Sequence, residues 1–272
     1  MKLTKIALFG LAMILLIIIL SGGCTQKKAA PPPQYPGWEQ YTYKHFIFHY
    51  PAGSYWGKKI DEFSDAYERF LTEDCDFLAI EIPKDTIHFY IHNDPEEGQK
   101  LTGRTLPYHE GNQIHWDRRT PFGLELARYL IDKMDIRMTD FRVLYDGLAT
   151  LLDYSGSDYH HLTYSLIEIK QFIPLDSLAN NESYARADSL HRNWEAASIV
   201  AFITYNFGIN RLKMLWQSTA TFDKSIKELF GVDIKRFQEG WLRFAEKSFK
   251  GIDIKETKLD STKIPPQSMG TE

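Results

Sequence analysis

Histidine is the side chain here with the widest chemical reach, and the chain has nine of them. Two histidines one helical turn apart, with a glutamate between them, make a hydrolytic zinc centre: both imidazoles point at one ion and the glutamate activates its bound water. No helix expected from this sequence carries His-x-x-x-His. His88 and His92 lie on one face of an expected strand, two residue pairs apart, too far for a simple shared ion. His109 and His115 flank an expected turn, while His160 and His161 are adjacent and point different ways on a helix. None of these shows a recognisable ligand spacing, so no metal and no cofactor is expected. Ser155-Gly156-Ser157 lacks the strand-turn-helix setting of a nucleophile elbow. Cys75 sits between Asp74 and Asp76, whose charges raise a thiol pKa, so it reads as structural.

The elements that must position these residues fall into two halves. Residues 41–50 (Tyr-Thr-Tyr-Lys-His-Phe-Ile-Phe-His-Tyr) are rich in β-formers and read as one long strand or a tight pair. Ile60, Phe63, Tyr67, Phe70 and Leu71 recur at helical spacing, predicting a helix over 56–72. Residues 86–92 alternate with period two, which turns Ile87, Phe89 and Ile91 to the core and His88, Tyr90 and His92 away. Short edge strands are expected over 103–106 and 112–116, around a loop at 107–111. From Pro121 the pattern turns helical, with Thr120 as the expected N-cap and Pro121 in the first turn. Helices are expected over 120–134, 141–154, 160–172, 194–206, 210–217, 222–230 and 233–249, with a loop at 174–181. Gly208 and Gly231 are the expected stops. A small mixed N-terminal sheet followed by an all-helical part is an α+β domain.

The two ends read differently. A short basic start precedes an apolar run over 6–20, and Ser21-Gly22-Gly23-Cys24 follows. The run is short for a bilayer span and fits a secretory signal peptide over 1–23. Cysteine directly after small residues resembles a prokaryotic lipobox, although the leucine usual three residues before the cysteine is Ser21. That resemblance implies cleavage before Cys24, lipidation of Cys24, and a domain held at the cell envelope outside the cytoplasm. Residues 24–37 contain Pro31-Pro32-Pro33 and read as a semi-rigid linker, 38–250 as the domain, and 251–272 as a disordered tail. With Cys24 lipidated, Cys75 has no partner for an internal disulfide. A hydrophobic fraction of 43% is ample for a core, and a net charge of −4 without a basic stripe argues against nucleic acid.

Several segments, in their order, carry a family resemblance. They are Phe46-Ile47-Phe48-His49-Tyr50-Pro51, Leu124-Glu125-Leu126-Ala127-Arg128, Asp146-Gly147-Leu148-Ala149, Pro174-Leu175-Asp176-Ser177-Leu178, residues 197–208, Phe230-Gly231 and Trp241-Leu242. Together they resemble the peptidase MA-like (gluzincin) family of zinc metallopeptidases over about 46–246, and imply its thermolysin-like architecture. The resemblance puts Leu124 and Arg128 in the two histidine slots of His-Glu-x-x-His, Glu125 in the general-base slot, and Asp146 in the slot of the third ligand, a glutamate in the family. Leucine has no donor atom, and a guanidinium offers no lone pair. A zinc peptidase site keeps three protein ligands and an open position. The resemblance therefore implies a scaffold without its metal, in which Arg128 points at Asp146 across the two helices and reaches Glu125 on its own. The expected function is a catalytically inactive, lipid-anchored domain that binds a peptide or protein partner in the old substrate cleft. The alternatives are an active peptidase with a non-standard metal site, or a purely structural envelope lipoprotein.

Overall fold

The computed structural model describes residues 33–250 apart from residue 135. The expected signal peptide, Cys24, the first part of the linker and the tail from 251 lie outside the described residues. The β-rich run at 41–50 resolves into a tight pair, β1 (Trp38–Tyr43) and β2 (Phe46–Pro51), antiparallel, with Lys44 at a left-handed φ of 44° in the turn. β3 (Ile87–His92), β4 (Tyr108–Glu110) and β5 (Gln113–Asp117) complete a sheet of order β1-β2-β3-β5-β4. β2, β3 and β5 run parallel, and parallel neighbours need crossovers. The first crossover holds α1 (Tyr55–Lys58) and α2 (Ile60–Leu78), and the second holds α3 (Pro95–Thr102) and β4.

Four of these elements correct the sequence expectations. Residues 103–106 form no strand, and the strand lies inside the expected loop, as β4 at Tyr108–Glu110 antiparallel to β5. α3 is an unanticipated helix: the Asp94 carboxylate caps it by accepting from the Glu97 N–H at 2.7 Å, and Pro95 fits the first turn. The helix expected over 56–72 is split at Lys59 and runs on to Leu78, because Cys75 and Leu78 continue its buried stripe. Ala79 ends it in the left-handed conformation at φ 49°.

Phe46, Phe48, Ile87, Phe89, Ile91, Ile114 and Trp116 form the inner sheet face, against Phe63, Tyr67 and Leu71 of α2. The outer face was expected to turn away from the core, and it does, but Tyr90 and His92 on it are also fully buried.

The helical part comprises α4 (Leu124–Asp132), α5 (Arg142–Leu151), α6 (Tyr159–Glu168), α7 (Leu175–Ala179), α8 (Asn181–Arg186), α9 (Ser189–Phe207), α10 (Ile209–Trp216), α11 (Phe222–Phe230) and α12 (Ile234–Phe249). Two of these, α7 and α8, lie where a loop was expected, and α6 stops four residues before the expected end at 172. Gly208 and Gly231 close α9 and α11. Thr120 does not cap α4. Its hydroxyl donates to Asp117 Oδ2 at 3.1 Å and its carbonyl accepts from Trp116 Nε1 at 3.1 Å, which fixes it in the turn after β5. The helix starts after Gly123, where a Cβ would come 2.5 Å from the Leu152 carbonyl oxygen. α5 and α9 approach as closely: a Cβ on Gly147 would meet the Ala196 carbonyl oxygen at 2.5 Å. Among the described residues no helix is long and apolar enough to cross a membrane.

Candidate functional site between β4 and α4

α4 is amphipathic. Leu126, Ala127, Leu130 and Ile131 are buried in the core, and Leu124 packs at its margin. The other face carries Glu125, Arg128 and Asp132, three and four residues apart, which brings them into one line along the helix. β4 runs beside this face as the last strand of the sheet and delivers His109 to it.

The four side chains form one network. His109 Nδ1 lies 2.7 Å from Glu125 Oε1, and His109 Nε2 lies 2.9 Å from Asp132 Oδ2. Arg128 Nη1 donates to the second Glu125 oxygen at 3.1 Å. Carboxylates only accept, so both ring nitrogens of His109 must carry protons. Burial by itself lowers the pKa of this imidazole, but the hydrogen bonds to Asp132 and Glu125, together with their charges, raise it to about 9. Glu125 is 3% exposed, and both its oxygens are occupied, one by His109 and one by Arg128. Two cations against two anions leave the cluster neutral. Tyr145 on α5 sets its hydroxyl 3.5 Å from the free oxygen of Asp132. The Nε of Arg128 is buried without a hydrogen-bond partner.

Asp146 stands apart from this network. Arg128 was expected to pair with it; instead the Asp146 carboxylate lies 3.7 Å from Arg142, one turn earlier on α5, and no ion pair joins it to Arg128. The reason is local geometry. Glu125 sits three residues before Arg128 and Arg142 four before Asp146, so each helix satisfies its own charge without a partner across the gap.

The residues in the zinc slots do not fit the ion that the resemblance implies. Leu124 offers no donor, and the Arg128 guanidinium carries a positive charge and pairs with the carboxylate in the base slot. His109, Glu125 and Asp132 do come together, but the ring has one carboxylate on each of its nitrogens, on opposite edges. Among the described residues no group of three or more histidine, cysteine, aspartate or glutamate side chains is arranged to hold a metal. Cys75 is buried and free, and burial, with Asp74 and Asp76 beside it, pushes its thiol up to about 11.

Sequence reasoning missed His109 and Asp132. The signal for Asp132 was available, since 125, 128 and 132 make a charged helical stripe opposite the apolar one. His109 had none, because its role depends on a strand only three residues long. No family model matches the chain, and no curated protein matches it.

Proposed function

We propose that this chain is a catalytically inactive domain on a gluzincin-like scaffold, and that it binds an extended peptide segment of a partner along the outer side of β4. The observation that carries the reading is the saturation of Glu125. A general base needs a free lone pair and a nearby water to deprotonate. Glu125 instead spends one oxygen on His109 and the other on Arg128. The binding surface follows from β4, which among the described residues has a strand on one side only. A peptide in extended form can add to such an edge by main-chain hydrogen bonds. In this reading Cys24 is lipidated and holds the domain at the envelope.

One experiment addresses both halves of the reading. The protein is incubated with excess zinc, desalted and assayed for zinc per chain beside a Leu124→His, Arg128→His variant. The same protein is then titrated with a set of extended peptides, while amide hydrogen exchange reports on 108–110. Near-zero zinc in the natural chain, gain of zinc in the variant, and saturable protection of β4 are expected. Stoichiometric zinc in the natural chain overturns the inactive reading, and absence of saturable protection at β4 overturns the peptide reading.

A further inference from the structure

On the outer face of the sheet, one row of rings crosses four strands in register: His49 on β2, Tyr90 on β3, His115 on β5 and Tyr108 on β4. The rings stack in sequence. Centroids are 4.2 Å apart from His49 to Tyr90, 4.4 Å from Tyr90 to His115 and 4.5 Å from His115 to Tyr108, with planes within 13° of parallel. Two further histidines attach at the sides. His49 Nε2 lies 3.0 Å from His88 Nδ1, and His92 Nε2 lies 3.1 Å from His115 Nδ1.

A bond between two imidazole nitrogens needs a proton on one and a bare lone pair on the other. A second proton turns the acceptor into a donor, and two N–H groups then face each other. Each of the two pairs therefore holds only while its acceptor ring is neutral. The buried Nδ1 of His92 has no hydrogen-bond partner. Whichever ring donates in the pair with His115, that Nδ1 is an unpaired polar atom sealed from water.

Part of the seal over His92 and Tyr90 comes from the beginning of the described chain, and α3 adds to it with Gly98 against the His92 ring. Trp38 sets its ring 5.1 Å from His92, and Tyr35 sets its ring 5.9 Å from Tyr90 and 6.4 Å from His92. Both are only half-buried. Among the described residues, the backbone bonds of this segment beyond the β1–β2 ladder are the Trp38 N–H to the Tyr35 carbonyl at 3.2 Å and the Ala52 N–H to the Gly37 carbonyl at 2.9 Å. By contrast β2, β3 and β5 are rooted in the core by Phe48, Phe89 and Ile114 on their other face. The cheapest way to give these imidazoles water is to lift residues 34–38.

We propose that this histidine layer is an acid-released latch, which holds residues 34–38 on the sheet at neutral pH and frees them when the imidazoles take up protons. The inference is independent of the reading of β4. The titratable and charged groups around the layer set its sign. From the sheet these are His49, His88, His92, His115, Tyr90, Tyr108 and Asp117; from the strap, Tyr35; from the start of α3, Asp94; and beside β4, Arg104, which is paired with Glu110. Burial, and then His88, lowers His49 to about 4. Burial, and then His92, His49 and Arg104, lowers His115 to about 3. Burial lowers His92 to about 4 against the pull of Asp94, and burial alone lowers His88. The closed state thus binds fewer protons than the open one. Its stability is fully present above the ordinary histidine value of about 6.5 and is lost as pH falls towards about 4.

The test reads the strap directly. The full chain is labelled with 5-fluorotryptophan, and the Trp38 resonance is identified by its loss in Trp38→Phe. Trp241, buried in the helical part, serves as the internal control. The expected result is a shift of Trp38 alone towards the solvent-exposed position as pH falls from 7.5 to 4.5. At pH 5.5 the open-to-closed ratio should rise about tenfold for each imidazole that opening uncovers. A His92→Gln, His115→Gln variant should keep its strap down through the same range. Reciprocity supplies a second measurement that does not need that variant to fold. Trp38→Ala should move the His92 titration, followed by its ring carbon resonance, upward by at least a factor of ten in proton affinity. A Trp38 signal that does not move overturns the proposal. So does one that moves together with Trp241, release at the same pH in the glutamine variant, or an unchanged His92 titration in Trp38→Ala.

Discussion

His109 and His115 lie six residues apart on two paired strands of the same sheet, yet they carry opposite charge states at neutral pH. Both are mostly buried, and burial alone pushes an imidazole towards neutrality. His109 faces the helical side, where two carboxylates and no other imidazole meet its two nitrogens. His115 faces the other side, where tyrosines stack on it and another histidine shares its nitrogen. Strand alternation assigns each ring to its face, and the face decides the charge. The β4–α4 cluster is a charge-balanced clamp around a cationic histidine and the outer layer an uncharged stack, built on the two sides of one sheet.

The comparison can be broken most forcefully at Glu125. Glu125→Ala leaves two cations beside each other with one exposed carboxylate, and should cost about 3 kcal/mol, read by urea denaturation at pH 7. The His109 titration should fall from about 9 towards the ordinary value; if it stays near 9, the carboxylates are not what charges it. His109→Gln should cost about 2 kcal/mol near neutrality, as charge-assisted hydrogen bonds are lost. Its sign with pH is the opposite of the outer layer. The folded pKa of His109 is raised, so its contribution is full below about 6.5 and is lost as pH rises through about 9. The variant should therefore lose that alkaline slope in stability and keep the acid one. Arg128→Met should cost about 1 kcal/mol, because the guanidinium is 27% exposed and Glu125 keeps His109. The smallest effect is expected on the other face. His49→Gln should change stability at pH 7.5 by less than about 1 kcal/mol and flatten the slope between pH 6.5 and 4. An unchanged acid slope would mean that protons enter the fold elsewhere.

Much of this was legible in residue order. The apolar stripe of α2, the alternation in β3, and the glycine stops after α9 and α11 are local signals: β3 forms where its alternation stands and both helices end at their glycines, while α2 runs six residues past its expected end and α9 begins five before its expected start. Boundaries failed where a tertiary contact overrode a local preference. Thr120 and Pro121 have the chemistry of a helix start, but Trp116 and Asp117 hold Thr120 in a turn, and the Leu152 carbonyl admits only glycine at 123. Three residues between a proline and a glycine are too few to show a period, so β4 has the sequence pattern of a loop. The residues of the candidate site were visible on α4; their partners were not. Arg128 could answer Asp146 or Glu125, and spacing along one helix settled it in favour of Glu125. Nothing in the order of residues announced that Tyr35 and Trp38 would fold back over His92, 54 positions after Trp38.

The contact between Gly147 and the Ala196 carbonyl has a mechanical consequence. Two backbones that meet with no side chain between them leave no room for a shift of one towards the other, so α5 is braced by α9 at this point. Asp146, next to that glycine, and Tyr145 before it stand on the braced turn. The α5 side of the site, where Tyr145 stands, is therefore backed by α9, while β4, a strand three residues long, is tethered to α4 by His109.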